Sequence, residues 1–97
     1  MEIKFTSHGK TIHVVNILPK ENKILTIGNG KAETKSDIIL PGLTISRQHA
    51  QLIIKNGIIY ITDTGSTNGT LVNNKNIHKG LLKRLEENDI IEGESNG

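Results

Sequence analysis

The chain of 97 residues has no cysteine and no tryptophan, and it has only one phenylalanine and one tyrosine. Without cysteine, the fold has no disulfide bonds and no thiol for catalysis. Stability must therefore come from aliphatic packing, which needs no oxidising compartment, and we expect a cytoplasmic protein. A chain of this length builds one hydrophobic core, so the sequence predicts a single domain over residues 1–97.

Long apolar runs are also lacking. No segment approaches the ~20 residues of a membrane-spanning helix, and the N-terminal stretch MEIKFTSHGK lacks the charged and then apolar pattern of a secretion signal. The net charge is +2, and the lysines are scattered from Lys4 to Lys83 without forming a block. We therefore expect no membrane insertion and no nucleic-acid partner.

Isoleucine is abundant, with 16 residues, whereas alanine occurs twice. β-Branched side chains fit a pleated, half-buried surface, and strong helix formers are scarce. Short apolar segments bounded by turn residues recur, among them TIHVVNIL, AQLIIK and IIYITD. Their lengths and spacing predict an all-β sandwich or barrel, and only GLLKRLEEND, residues 80–89, is compatible with a short helical turn.

Turn residues divide the predicted strands. Asn56-Gly57 lies between two apolar segments and predicts a type I′ hairpin, whose two central residues need positive φ. Asn73-Asn74 indicates a second turn. Two stretches rich in Gly, Asn, Ser and Thr are predicted loops, GNGKAETKS at 28–36 and TGSTNGT at 64–70. Binding residues are often found on such loops of a rigid scaffold.

The stretch TISRQHAQLII, residues 44–54, contains one of the two arginines in the chain. Arg47 follows Ser46 and lies two residues before His49. A guanidinium between a hydroxyl and an imidazole is typical of an anion site. The alternative is an ordinary surface arginine beside a structural histidine.

Four motifs in order resemble the forkhead-associated (FHA) domain: Gly28, SRQH at 46–49, STNGT at 66–70 and NDIIEG at 88–93. The resemblance covers nearly the whole chain. It implies a sandwich of two antiparallel sheets whose loops at one end bind a phosphothreonine in a partner polypeptide. It also implies a protein interaction module with no catalytic residues, since the family binds a phosphorylated residue and neither adds nor removes the phosphate.

The resemblance also implies roles for single residues. Ser46 would donate a hydrogen bond to the phosphate, and Arg47 would add a second contact. Gly28 and His49 would support the loops, with His49 buried.

The loop that follows has three residues with implied roles. Thr67 and Asn68 would brace the site, with Asn68 bonding the backbone of the bound peptide, and Gly69 would permit the turn. These roles agree with the chemistry of a phosphate dianion, which needs several donors and at least one cation. An arginine can grip two phosphate oxygens at once, and an asparagine offers both a donor and an acceptor to a peptide backbone.

The sequence departs from the family at the residue after Gly28. The family usually has an arginine there that is a main phosphate contact, and this chain has Asn29. Asn29 stays among the candidate phosphopeptide-binding residues, together with Lys31, which could supply a cation from the loop as Lys35 could. The alternative interpretation is a degenerate FHA-like domain that associates with partners independently of phosphorylation.

A second departure is at the C-terminal end. Family members normally continue beyond the glycine matching Gly93 into a last strand that pairs near the first one, whereas this chain ends at GESNG and is expected to lack that strand. We therefore expect the segment EIKF, residues 2–5, to be an unpaired edge. An open edge invites pairing, and the expected state is a monomer or a weak dimer through that edge.

Two other interpretations of the polar residues are disfavoured. A hydrolase built on Ser46 and His49, with Asp63 as orienting group, would need a strained turn such as G-x-S-x-G, which is absent. The histidines at positions 8, 13, 49 and 78 lack the paired short spacing of metal sites. We therefore expect no metal and no cofactor.

Overall fold

The computed structural model describes residues 1–31, 33, 35–41 and 45–93. Within these residues the chain forms ten strands and no helix. The strands are β1 (Glu2–Ser7), β2 (Lys10–Asn16), β3 (Lys23–Gly28), β4 (Ile38–Ile39), β5 (Ala50–Lys55), β6 (Ile58–Asp63), β7 (Leu71–Val72), β8 (Lys75–Asn76), β9 (Lys83–Arg84) and β10 (Ile90–Glu92).

The strands form two five-stranded sheets. The strand order is β2-β1-β10-β7-β8 in the first sheet and β4-β3-β5-β6-β9 in the second. Neighbouring strands are antiparallel except for two short parallel pairs, β1 with β10 and β3 with β4. The predicted all-β two-sheet sandwich is confirmed, with a mixed rather than purely antiparallel strand arrangement.

The core between the sheets is aliphatic except for Phe5. On β5 and β6 the inward positions alternate with outward ones, and Leu52 pairs with Ile61 at the centre, where both are fully buried. Burying a side chain of this size contributes about 1.5–3 kcal/mol. The remaining buried apolar residues are Ile3, Phe5, Ile17, Ile27, Ile38, Leu40, Ile45, Ala50, Ile54, Ile59, Val72, Leu85 and Ile91.

Both predicted turns are confirmed. Asn56 and Gly57 have φ values of 53° and 79° and connect β5 to β6. Asn73 and Asn74 have φ values of 52° and 67° and connect β7 to β8. Glycine has no Cβ to clash at positive φ, and asparagine tolerates the left-handed region better than most residues.

The prediction that EIKF forms an unpaired edge is wrong. Strand β1 pairs with β2 on one side and with β10 on the other, so that Lys4 lies opposite both Val14 and Ile90. The edges of this sheet are β2 and β8. The expectation about a strand after Gly93 concerns residues 94–97, which lie outside the described part of the chain.

The short helical turn considered for residues 80–89 is also absent. Lys83 and Arg84 pair with β6 instead, and the amide of Leu85 donates to the carbonyl of Ile59 at 2.8 Å. The side chain of Leu85, the residue after β9, is buried in the core. Pairing with β6 and burial of Leu85 outweigh the helix propensity of a short segment. No helix in the described residues is long and apolar enough to cross a bilayer.

Candidate functional site

Three loops meet at one end of the sandwich. They are residues 28–31, 45–49 and 64–70. Backbone hydrogen bonds join them: the amide of Asn29 donates to the carbonyl of Ser46 at 3.1 Å, and the amide of Thr64 donates to the carbonyl of His49 at 3.2 Å. The amide of His49 reaches the end of β3 by donating to Ile27 at 2.9 Å. The relative position of the loops is therefore fixed by the ends of the central strands.

His49 connects two of these loops by hydrogen bonds from its side chain. Its side chain is buried, and its Nδ1 accepts a hydrogen bond from the amide of Ser46 at 3.0 Å. Since Nδ1 accepts, the proton of the neutral ring is on Nε2, which donates to the carbonyl of Gly69 at 3.1 Å. Burial lowers the pKa of His49, opposed by the Gly69 carbonyl and the charge of Asp63. The neutral imidazole is therefore the form that fits between the loops.

The same contacts argue against general-base catalysis by His49. Both ring nitrogens bond backbone groups, one of Ser46 and one of Gly69. The Ser46 hydroxyl instead meets Thr67. A nucleophile needs its hydroxyl within hydrogen-bond reach of the base, and this arrangement does not provide that contact.

Asp63, at the end of β6, organises the 64–70 loop. Its buried carboxylate accepts from the amides of Gly65 at 3.1 Å and Ser66 at 3.0 Å, from the Ser66 hydroxyl, and from the Thr70 hydroxyl at 2.9 Å. Burial alone would raise the pKa of Asp63, but the hydrogen bonds from Ser66 and Thr70 and the nearby His49 outweigh it and lower the pKa. An ionised carboxylate is therefore the centre of this loop.

This role of Asp63, with Ser66 and Thr70 as its partners, was not predicted from the sequence. A local signal was present. Aspartate at a strand end followed by Gly65 and Ser66 is a pattern in which the side chain captures the next backbone amides. Thr70 carries no such signal because it reaches Asp63 across the whole loop.

Ser46 and Thr67 place two hydroxyls side by side on the surface. The amide of Thr67 donates to Ser46 Oγ at 2.9 Å, and the two hydroxyl oxygens are 3.4 Å apart. This last distance is longer than a normal O–H···O bond. The Ser46 oxygen is therefore held in place through its lone pair, while its proton can turn toward a ligand.

Two glycines are required in these loops, one by close packing and one by its backbone conformation. A Cβ at Gly28 would overlap the carbonyl oxygen of Arg47, so only glycine lets β3 approach the 45–49 loop. Gly69 has a φ of 97°, and its amide donates to the Ser66 hydroxyl at 3.0 Å. Both are among the residues to which the resemblance assigned structural support of the site.

The charged and amide candidates lie on the outside of this framework. Arg47, Lys31 and Asn68 are all exposed. Arg47 directly follows the Ser46 hydroxyl site, and Asn68 directly follows Thr67. Lys35 is also exposed. The two loops that carry the hydroxyls therefore also carry a guanidinium and a side-chain amide.

Asn29, which replaces the expected arginine, binds backbone at both ends of its side-chain amide. Its Nδ2 donates to the carbonyl of Ile45 at 2.9 Å, and its Oδ1 accepts from the amide of Lys31 at 2.8 Å. The side chain therefore braces the 28–31 loop against the 45–49 loop.

Comparison with known proteins gives a consistent result. A model of the FHA domain matches residues 25–92. The glycogen accumulation regulator GarA of Mycolicibacterium smegmatis is 38% identical over 55 residues, which are 57% of this chain and 35% of that protein. The oxoglutarate dehydrogenase inhibitor of Corynebacterium glutamicum is 46% identical over 56 residues, which are 58% of this chain and 39% of that protein.

The matched region is thus little more than a third of the length of these two relatives. Among solved structures, the N-terminal FHA domain of Rad53p from S. cerevisiae, in complex with a phosphothreonine peptide, superimposes with a TM-score of 0.66 at 26% identity. The match covers 82% of this chain and 71% of that one. From the family match over more than half of its length and from the shared fold, this chain belongs to the FHA domain family.

Proposed function

We propose that this domain binds phosphothreonine in a partner protein through the loops 45–49 and 64–70. The observation that carries the proposal is the pair of hydroxyls of Ser46 and Thr67, 3.4 Å apart and fixed by the Thr67 amide. Arg47 and Asn68 follow these two residues on exposed loop positions. Together the two loops carry hydroxyl donors, a cation and an amide, which is the donor set that a phosphate dianion needs.

The roles of the four residues follow from their chemistry. Ser46 donates its hydroxyl proton to a phosphate oxygen, and the Arg47 guanidinium binds one or two further oxygens. Thr67 holds Ser46, and Asn68 bonds the backbone of the partner on one side of the phosphothreonine. Each hydrogen bond to the charged phosphate contributes about 1.5–3 kcal/mol. A few such bonds, after the cost of association, support roughly micromolar affinity.

The comparisons support a binding module rather than an enzyme. The Rad53p domain was solved with a phosphothreonine peptide, and the two bacterial relatives are named as a regulator and an inhibitor. We propose for this chain the same class of ligand, a phosphorylated segment of another polypeptide. Which protein carries that segment depends on residues outside the phosphate contact.

Calorimetry with matched peptides tests the proposal. A degenerate phosphothreonine peptide library should bind the domain, and the same library with unmodified threonine should not. Replacing phosphothreonine by phosphoserine should weaken binding if the threonine methyl is also buried, by ~0.8 kcal/mol. Equal binding of phosphorylated and unmodified libraries would contradict the proposal.

Asn29 favours a second candidate function, association that does not require phosphate. Its amide is engaged by Ile45 and Lys31, so the position that resembles the main arginine contact of the family supplies no charge. Under this alternative, Ser46→Ala and Arg47→Ala leave partner capture intact. A partner captured from lysate and then lost after phosphatase treatment would count against it.

A further inference from the structure

The edge strands of the two sheets differ in length. In the described part of the chain, β4, β8 and β9 are edge strands of two residues each, and β8 and β9 carry Lys75, Lys83 and Arg84. Short strands and lysines keep sheet edges from pairing with other chains. The remaining edge strand, β2, has seven residues, KTIHVVN, with one lysine, no acidic residue and no proline. The open edge is therefore β2 and not the EIKF segment that the sequence predicted.

Alternate backbone groups of β2 point away from β1. Met1 and Ile17 exchange two hydrogen bonds, from the amide of Ile17 at 2.9 Å and from the amino group of Met1 at 2.8 Å. In an antiparallel ladder, such pairs alternate with pairs that exchange no hydrogen bonds. By the register of β1 with β2, Val14 and Asn16 belong to pairs of the second kind. Their amides and carbonyls therefore face the open edge.

Two apolar side chains at this edge are left in water. Val14 is 45% exposed, and Leu18, which follows the end of β2, is 74% exposed. Leu18 precedes Pro19, and a residue before proline prefers extended backbone, so Leu18 continues the direction of the strand. A further strand that pairs with Val14 and Asn16 would cover both side chains, and removing apolar area from water is favourable.

A second copy of the chain fits this edge in the antiparallel orientation. With a two-fold axis at Val15, Val14 of one copy lies opposite Asn16 of the other, and each residue donates and accepts one hydrogen bond across the interface. The two Val15 side chains, which pack half-buried against their own cores, meet at the axis. Leu18 lies diagonally across from Val14 of the other copy, within reach of a leucine side chain.

The residues that would pair carry no charge that opposes this contact. Residues 13–17, HVVNI, contain no lysine, arginine, aspartate or glutamate. The register shift of the β1–β2 ladder falls at Ile12, before this segment, so the backbone of residues 13–17 is a regular strand partner. A two-fold contact needs the same patch on both copies. Val14, Val15 and Asn16 meet that condition because the pattern matches its own reverse about Val15.

We propose that the chain forms a two-fold symmetric dimer by antiparallel pairing of its β2 edges, which joins the first sheets of two copies into one continuous sheet. The paired surface is smaller than a standard protein interface, so the dimer is weak and forms at high protein concentration. Pairing covers Val14 and Leu18 and satisfies the outward amides and carbonyls of β2.

The pairing also sets the direction of the two candidate phosphate sites. A Cβ at Gly93, the residue after β10, would contact Ile45 and lie 3.5 Å from Nε2 of His49, so β10 ends beside the site loops. β1 is parallel to β10, and β2 therefore begins at the same end. Antiparallel pairing places the two sites at opposite ends of the dimer. This part rests on the phosphothreonine binding proposed above: the dimer connects two phosphorylated partners and does not hold two phosphothreonines of one short segment.

Analytical ultracentrifugation tests the pairing without any peptide. Between about 10 µM and about 1 mM, the mean mass of the wild type should rise from that of a monomer toward that of a dimer. Val14→Pro should weaken the dimer about tenfold or more, because proline removes an amide that faces the open edge and that β1 does not use. A wild type that stays monomeric over this range overturns the proposal, as does a dimer that Val14→Pro leaves unchanged.

Asn76→Pro is the matched control at the other edge of the same sheet. The amide of Ile77 donates to the carbonyl of Thr70, so by the same alternation the amide of Asn76, opposite Leu71, faces the β8 edge. This variant should dimerise as the wild type does. Urea denaturation of both proline variants checks that the fold is retained. Loss of the dimer in a folded Asn76→Pro variant would overturn the assignment to β2.

Disulfide cross-linking tests the same contact in a variant that does not depend on proline. The chain has no cysteine, so Val15→Cys gives each copy one thiol. At the axis, the two Cα atoms of a pair without hydrogen bonds lie ~4.5 Å apart, within the range of a disulfide. Val15→Cys should form covalent dimers faster than Asn76→Cys, although Asn76 is exposed and Val15 is half-buried. Equal or faster cross-linking of Asn76→Cys would contradict the proposal.

The disulfide-linked Val15→Cys dimer tests the direction of the sites. The sites lie beyond opposite ends of paired strands that are each seven residues, ~23 Å, long. A peptide with two phosphothreonines about five residues apart spans at most ~17 Å, so it should bind within about twofold of the singly phosphorylated peptide. A large gain in affinity would overturn the antiparallel arrangement. If no phosphothreonine peptide binds, the proposed function fails, whereas sedimentation and cross-linking still decide the pairing of β2.

Discussion

The two sides of the candidate site differ in how they are held. The 64–70 loop is built on a buried carboxylate, Asp63, that accepts from two backbone amides and two hydroxyls. The 28–31 loop is braced by one side-chain amide, Asn29, and its basic residue Lys31 is exposed. Buried hydrogen bonds therefore hold the backbone under the Thr67 hydroxyl, whereas the cations of the site, Lys31 and Arg47, are exposed side chains.

The largest expected effect is a loss of stability when the buried carboxylate of Asp63 is removed. Asp63→Ala leaves the hydroxyls of Ser66 and Thr70 and two amides without their acceptor, and each unsatisfied buried group costs about 1–3 kcal/mol. We expect the free energy of unfolding to fall by roughly 3 kcal/mol or more. Urea denaturation measures it.

Asp37→Ala is the matched control for Asp63→Ala. The Asp37 carboxylate also accepts an amide and a hydroxyl, both of Thr26, at 2.9 and 3.1 Å, but it is exposed. Water replaces these bonds, so the expected loss is below about 1 kcal/mol. Similar losses in the two variants would contradict the view that burial of Asp63 is what fixes the loop.

Arg47→Ala should weaken peptide binding without changing the stability of the fold. The guanidinium is exposed, so its removal should leave the urea midpoint unchanged. Loss of one or two charge-assisted hydrogen bonds should weaken phosphothreonine-peptide binding about tenfold to a hundredfold. Calorimetry with phosphorylated and unmodified peptides measures it, and Arg84→Ala, on β9, serves as the arginine control. Unchanged affinity in Arg47→Ala would remove Arg47 from the site.

Local chemistry made part of the molecule predictable. Asn56-Gly57 and Asn73-Asn74 marked their turns because positive φ selects for a few residue types. Ser46, Thr67, Gly28 and Gly69 were predicted to belong to the site through motifs that lie on three loops. These features depend on residues close in sequence, or on a pattern of several short motifs.

Long-range pairing and side-chain direction were not predictable. The place of β1 between β2 and β10 depends on a contact between Phe5 and Ile91, far apart along the chain. The direction of the Asn29 side chain depends on where the carbonyl of Ile45 lies, and that is set by the packing of another loop. No single residue in either segment indicates its partner.

Asn29→Arg should strengthen phosphate binding by adding a cation to the 28–31 loop. The new guanidinium adds a cation beside Ser46 and can still donate to the carbonyl of Ile45, although it cannot accept from the amide of Lys31. We expect phosphothreonine-peptide binding to tighten about tenfold, the effect of one charge-assisted bond. Calorimetry measures the affinity.

Asn29→Ala is the control for Asn29→Arg, since it removes the brace without adding charge. Its expected effect is a loss of about 1 kcal/mol in the free energy of unfolding and somewhat weaker binding. If Asn29→Arg binds more weakly than the wild type and no better than Asn29→Ala, loss of the brace outweighs the added charge at this position. That result would favour the interpretation of a domain that associates without phosphate.

The smallest expected effect is a change in the free energy of unfolding when the imidazole of His49 is protonated. Its pKa in the folded chain lies below the ordinary value of 6.5 because burial disfavours the charged ring. As the pH falls below 6.5, the unfolded chain therefore takes up this proton before the folded chain does. The stability that the neutral ring contributes is fully present above this pH and declines below it. The lowered pKa of Asp63 acts in the same direction only below 3.8, the ordinary value of an aspartate.

Stability, rather than peptide binding, is the correct measurement for this effect, because the phosphate itself titrates near pH ~6. Urea denaturation from about pH 8 to about pH 5 should give a declining free energy of unfolding in the wild type. His49→Gln starts from a lower stability, since it disturbs the contacts to Ser46 and Gly69, but it cannot titrate. Its pH dependence should therefore be flatter, and an equally steep decline in this variant would assign the proton uptake to another histidine.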